Sequence, residues 1–192
     1  MQLELCPFVE GEGKQWRFIG IWAKNRWEWT NTLLAAMHFS VTAVGFYDAM
    51  AVEQVDYIVR QTELSSIVCT PDYAGKLIGM KKGGMVPSLN SLIVIGVVDP
   101  ALLQAAQAQS LYVHTYSHVL SQGNLAAPMQ FSEPTKHDVY IFSYTSGTTG
   151  DPKGVKLTHN NVLTAARNSL TRITMNAGET MISYLPYTHS FE

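Results

Sequence analysis

Tyr-Thr-Ser-Gly-Thr-Thr-Gly-Asp-Pro-Lys-Gly-Val-Lys, residues 144–156, follows the apolar run 139–142. Every residue from Thr145 to Gly150 is a glycine or carries a hydroxyl, and a lysine behind a proline closes the segment. That composition suits an anion cradle. Gly147 and Gly150 let the backbone approach a phosphate closely and turn its N–H groups toward it, because no Cβ stands in the way. Thr145, Ser146, Thr148 and Thr149 add hydroxyl donors, Lys153 adds a full positive charge, and Tyr144 leads from the apolar run into the loop.

Spacing separates this loop from other glycine-rich motifs. A Walker A loop needs Gly-Lys-Ser/Thr five residues on from its first glycine. Here that count from Gly147 reaches Pro152, and Lys153 is followed by Gly154. The dinucleotide pattern Gly-x-Gly-x-x-Gly is absent. A hydrolase elbow around Ser146 would need glycine where Tyr144 stands, which argues against Ser146 as a nucleophile.

Residues 144–156 resemble the signature loop of the adenylate-forming (AMP-binding) superfamily: acyl-CoA synthetases, peptide-synthetase adenylation domains and luciferases. The continuation Leu157-Thr158-His159-Asn160-Asn161 also fits that family. Working outward, Gly20-Ile21-Trp22-Ala23-Lys24-Asn25-Arg26-Trp27-Glu28-Trp29 is similar to its early strand and Asn-Arg-x-Glu-Trp helix start. Gly45-Phe46-Tyr47-Asp48 resembles the Pro-Leu-Tyr-Asp strand of long-chain acyl-CoA synthetases, and residues 183–192 resemble their Ser-Tyr-Leu-Pro-Leu-Ala-His-x-Phe-Glu segment. Two departures stand out: Gly45 replaces a proline, and Tyr187-Thr188 replaces the smaller Leu-Ala pair. The second bears on the shape of an acyl pocket.

The resemblance implies an internal fragment of a long-chain fatty acid:CoA ligase, using ATP, Mg2+ and coenzyme A to activate a fatty acid. It implies Lys153 as the cation for the β- and γ-phosphates and Thr148 as the hydroxyl touching magnesium. Tyr144, Thr145, Ser146, Gly147, Thr149 and Gly150 would complete the nucleotide cradle, with Gly147, Gly150 and Gly154 serving backbone shape. His189 falls where the family's histidine lines the acyl and adenylate pocket, and it stays open between that role and a satisfied surface or core position. His159 suits helix-start hydrogen bonding better than catalysis. The family's Tyr-Gly-x-Thr-Glu, ribose-binding Thr-Gly-Asp and mobile catalytic lysine segments do not occur here, so the chain reads as a fragment, truncated gene model or short isoform. Two other readings stay open: an inactive nucleotide-binding short product, and a piece of another adenylating enzyme such as a peptide-synthetase domain.

The chain has 192 residues, 46% hydrophobic and 15% charged, which is the composition of a soluble globular protein with an ordinary core. A net charge of -2 with scattered basic residues gives no reason to expect a nucleic acid partner. Cys6 and Cys69 are far apart and form neither a zinc pattern nor a disulfide framework, so reduced thiols are expected. The apolar stretch Leu33 to Tyr47 is too short to span a bilayer, which needs about 20 residues. The expected location is the cytoplasm or the cytoplasmic face of an internal membrane, with any membrane association supplied by parts of the parent enzyme outside this sequence. Lys81-Lys82-Gly83-Gly84 reads as a solvated turn.

Short β-branched and aromatic runs alternate with stretches of helical period, which predicts an α/β fold with a mostly parallel sheet flanked by helices, part of a large N-terminal domain. Strands are expected at Phe18–Trp22, Ala43–Tyr47, Ser66–Cys69, Leu92–Val97, Leu111–His114 and Val139–Tyr144. Helices are expected around Trp29, Leu33, Ala36 and Met37, around Val52, Val55, Val59 and Thr62, and from a Thr158 cap to about Asn176. Trp22, Trp27 and Trp29 suit packing rather than a stacking platform. Residues 1–122 read as the sheet-and-helix body, 123–138 as a linker, and 139–192 as the phosphate-loop segment with the start of the acyl-pocket region, all within one incomplete domain.

Overall fold

The computed structural model describes residues 5–126, 129–145, 151–173, 176–180 and 182–189. Ser146, Gly147, Thr148, Thr149 and Gly150, the middle of the expected cradle, lie outside the described residues.

The chain builds β1 (Phe8–Gly11), β2 (Lys14–Trp22), α1 (Trp27–His38), β3 (Thr42–Gly45), α2 (Val52–Thr62), β4 (Ser66–Cys69) and α3 (Pro71–Lys82). It continues with β5 (Ser91–Val94), α4 (Pro100–Gln107), β6 (Tyr112–Thr115), α5 (Tyr116–Leu125), β7 (Val139–Thr145), β8 (Lys153–Thr158) and α6 (His159–Leu170). The strands form one sheet in the order β6-β5-β4-β2-β3-β7-β8, with β1 paired beside β2. Every pairing from β6 across to β7 is parallel, while β1–β2 and β7–β8 are antiparallel. The fold is α/β as expected, and all six expected strands are present, Ser66–Cys69 with the expected ends and the other five with shifted ends.

The period-two alternation of β2 explains the layers. Phe18 and Trp22 enter a core with Val55, Ile58 and Val59 of α2 and Leu77 of α3; Ile19 and Ile21 enter a second core with Trp29 and Ala36 of α1 and Tyr116 of α5. Helices therefore cover both faces. Gly20 lies between Phe18 and Trp22, and a Cβ there would stand 2.7 Å from both Ile67 Cγ1 and Leu64 Cδ2, so the glycine is required by close packing.

Several local expectations need correction. Helix α6 is capped by Thr158, which exchanges hydrogen bonds with Asn161, but it ends at Leu170 rather than near Asn176. Lys81 is not in a solvated turn: it sits in the last turn of α3, and its ammonium donates to the carbonyls of Pro87 and Leu89 at 2.7 and 2.8 Å. Partial burial lowers its pKa. Trp22 and Trp29 are buried, whereas Trp27 is 61% exposed with its ring edge-on to Tyr116. The stretch expected as a linker begins inside α5, and Ser132 of that stretch donates its amide to His38 at the end of α1. No helix among the described residues is long and apolar enough to cross a membrane.

Candidate functional site

The connection leaving β2 passes over one face of the sheet as α1, and the connection leaving the adjacent β3 passes over the other as α2. Neighbouring parallel strands whose connections diverge in this way open a crevice at their carboxyl ends, where α/β sheets bind ligands. A recess of about 450 Å³ occupies that position, lined by Asn25 after β2, Phe46 and Asp48 after β3, and Tyr184, Tyr187 and Thr188 from the last described segment.

The segment 185–189 is held across the strand ends by side chains from the β2–α1 and β3–α2 connections, from β7 and from α1. Asn25 donates Nδ2 to the Leu185 carbonyl at 2.6 Å and accepts the Tyr187 amide on Oδ1 at 2.9 Å. The Thr188 carbonyl accepts from Ser143 Oγ of β7 at 3.0 Å and from the Tyr47 hydroxyl at 3.4 Å. Tyr187 packs edge-on against Trp29, with ring centroids 5.5 Å apart. Thr188 is buried with no hydrogen-bond partner for its Oγ1 among the described residues, and its Cγ2 fills the space a side chain on Gly45 would need. The two departures from the family pattern thus touch each other. His189 is half-buried, and its amide donates to the Pro186 carbonyl at 2.7 Å.

Beside this crevice, β7 and β8 form a hairpin whose last pair is Thr145 with Lys153. Thr145 and Lys153 flank the glycine- and hydroxyl-rich stretch in sequence, and residues 146–150 of that stretch lie outside the described residues. Both residues are exposed, and among the described residues the Lys153 ammonium has no hydrogen bond or ion pair. Lys156 of β8 differs: it is paired with Glu12 of the β1–β2 turn and lies near the Trp16 ring.

Tyr144 was expected among the nucleotide contacts. Its side chain is 1% exposed, its hydroxyl donates to Gln61 Oε1 at 2.6 Å, and burial pushes its pKa up, so the phenol is a structural donor in the stem of the loop. Opposite it stands Gly154, which is outside the left-handed region. A Cβ on Gly154 would lie 3.0 Å from the Tyr144 ring, so this glycine serves close approach rather than a special backbone shape. His159 starts α6, its amide bonded to the Asp138 carbonyl at 3.1 Å and its ring beside Tyr140, as suits a helix-start residue. Burial lowers its pKa, partly countered by Asp138.

The structure pairs Thr145 with Lys153 at the end of the β7–β8 hairpin, and two residues earlier on β7 it ties Ser143 to the segment carrying His189; Asn25 and Tyr47 also hold that segment, and the sequence announces none of these three roles. Tyr47 and Asn25 stand inside resembling motifs, which was their only signal. Among the described residues no three histidine, cysteine or acidic side chains cluster as a metal site, and the expected magnesium contact, Thr148, lies outside them. A single hydroxyl suits magnesium carried by a nucleotide, since such an ion is held mostly by phosphates and water with one or two protein oxygens.

The family described as AMP-binding enzyme matches residues 10–192. The chain is 35% identical over 183 residues to the peroxisomal acyl-CoA ligase 891 of Penicillium brevicompactum, covering 90% of this chain and 26% of that protein. It is 35% identical over 184 residues to long-chain-fatty-acid–CoA ligase 5 of Rattus norvegicus, covering 92% and 26%. The chain spans about a quarter of the length of these curated relatives. Among solved structures, the A domain of a carboxylic acid reductase from Segniliparus rugosus, in complex with AMP and a co-purified carboxylic acid, superposes with TM-score 0.66. That match has 14% identity and covers 90% of this chain and 30% of that one, a likeness of fold alone.

Proposed function

The chain belongs to the family of AMP-binding enzymes, and from that premise we propose that it is part of an ATP-dependent acyl-CoA ligase acting on a long-chain fatty acid. The observation that carries this reading is the β7–β8 hairpin: its end pair, Thr145 and Lys153, flanks the glycine- and hydroxyl-rich stretch in sequence, and β7 lies beside β3 at the crevice. In the first step the fatty acid carboxylate attacks the α-phosphate of ATP, giving acyl-adenylate and pyrophosphate. In the second the coenzyme A thiol displaces AMP and yields the thioester.

Lys153 serves the first step. Negative charge builds on the departing pyrophosphate, and a cation already in place there needs no reorganisation to stabilise it. Thr145, Ser146 and Thr149 donate hydroxyls, and Gly147 and Gly150 allow backbone N–H groups to join them. Thr148 would supply a hydroxyl oxygen to a magnesium ion, whose charge would offset that of the phosphates. Tyr144 and Gly154 keep the stem of the loop in register, and His189 lines the acyl and adenylate pocket.

The whole reaction belongs to the longer protein, acting in the cytoplasm or at a cytoplasmic membrane face. The 192-residue chain alone is expected to form no thioester, since the segments that supply the magnesium carboxylate, the ribose acid and the mobile lysine in the family pattern do not occur in it. In the full protein, Lys153→Ala is expected to slow fatty acid-dependent ATP–pyrophosphate exchange by roughly a hundredfold. Capture of synthetic acyl-adenylate by coenzyme A should change little, because pyrophosphate has left by then. Equal losses in both assays would overturn the assignment of the loop to the triphosphate.

A further inference from the structure

The Asn-Arg-x-Glu-Trp stretch is a motif without a role in the reaction just described, yet its side chains converge on one place. Arg26 is the extended residue before α1, and its guanidinium makes paired bonds of 2.7 and 2.8 Å to the buried Glu28. That ion pair fixes the turn in which Asn25 stands. One turn further on, Trp29 meets the Tyr187 ring.

We propose that Asn25 is a positioning residue of the site: its carboxamide receives the backbone of 185–187 and so fixes where His189 stands over the strand ends. The amide offers one donor and one acceptor in a single plane, which match the Leu185 carbonyl and the Tyr187 N–H as a neighbouring peptide unit would. The carbonyl and the N–H are different partners, so only one orientation of the amide satisfies both. With that register set, the Thr188 carbonyl meets Ser143 and Tyr47, Thr188 Cγ2 enters the space above Gly45, and His189 follows immediately. At neutral pH the usual replacements cannot do the same: an ionised aspartate would bring a second acceptor against the Leu185 carbonyl, and alanine offers neither group.

The activity arm of the test rests on the ligase reading; the structural arm does not. Asn25→Ala and Asn25→Asp are made in the full protein carrying this chain. Asn25→Ala is expected to raise amide exchange at Tyr187 and His189 by about tenfold, the loss of two ordinary hydrogen bonds, and to lower kcat/KM for the fatty acid in pyrophosphate exchange by a similar factor. KM for ATP stays unchanged. Asn25→Asp should match Asn25→Ala at pH 8 and move toward wild type as the pH falls toward about 4, near the ordinary aspartate pKa of about 3.9, because a protonated carboxyl again presents one donor and one acceptor. The readout is the ratio of the two variants at each pH, which cancels titration elsewhere. A flat ratio, or wild-type protection of Tyr187 in Asn25→Ala, overturns the proposal. Absence of pyrophosphate exchange in the wild-type protein would instead defeat the ligase reading, and amide exchange would still decide the role of Asn25.

Discussion

Replacing Gly45 with alanine introduces a methyl group where Thr188 already sits. The added Cβ would fall 2.5 Å from Thr188 Cγ2 and 3.1 Å from Thr188 Cβ, against an ordinary carbon–carbon separation of about 3.5 to 4.0 Å. Rotating Thr188 does not relieve the second contact, because Cβ is fixed by the backbone. Overpacking of this kind typically costs about 1 to 3 kcal/mol. Here the cost has a ceiling, since the segment can leave the sheet by giving up its bonds to Asn25, Ser143 and Tyr47. A cost near 1.4 kcal/mol corresponds to about a tenfold rise in local opening, read as amide exchange across 183–189. The global unfolding midpoint should move much less.

The companion change is Thr188→Ala, which removes both Cγ2 and a buried hydroxyl without a partner among the described residues and should be close to neutral alone. Combined with Gly45→Ala it should recover most of the lost protection, a coupling of about 1 kcal/mol between residues in contact. Wild-type exchange in Gly45→Ala, or simple additivity in the double variant, would refute the claim that these two positions share one volume.

Gly20→Ala places a Cβ 2.7 Å from Ile67 and Leu64 in the core and should lower stability by about 2 kcal/mol in denaturant titration, with no relief from any exposed segment. Glu28 is held below the usual carboxylate range first by its hydrogen bond from Arg26, so its contribution is present above the unfolded value of about 4.3 and is lost as pH falls through the lower folded one. Glu28→Gln should therefore flatten the acid limb of the stability–pH curve, and an unchanged limb would count against this. Burial pushes the Cys6 thiol up to about 11 and Cys69 higher than its ordinary value, so both should react with an aromatic disulfide at neutral pH only after unfolding; prompt stoichiometric labelling of the native protein would contradict their placement.

The parts of the fold that were legible in the sequence are those where local period and burial agree. In β2 the alternation of Phe18 and Trp22 with Ile19 and Ile21 matches two buried faces, and of the expected α2 stripe Val55, Val59 and Thr62 are buried, while Val52 in the first turn is exposed. Strand β8 was not legible: Lys-Gly-Val-Lys-Leu-Thr has a glycine, two lysines and half-exposed apolar residues, and it is a strand because β7 offers it an edge. Lys81 misled for a similar reason, since the carbonyls that hold it belong to the turn five to eight residues on and carry no side-chain signal.

The same physics explains why the loop was readable and its surroundings were not. A phosphate cradle depends on residue types close together in sequence, so 144–156 announces its chemistry. The clamp on 185–189 is made by side chains at 25, 47 and 143 acting on backbone atoms of 185, 187 and 188. Those acceptors and donors exist whatever residues stand there, so the receiving segment is silent and only the donor's type is written in the sequence. Contact between Gly45 and Thr188 is the exception, because volume is written at both ends: a missing side chain at one position and an added methyl at the other. Each looked like an isolated departure from a family pattern until the sheet placed them together, and a pair of that kind is where a single sequence carries tertiary information.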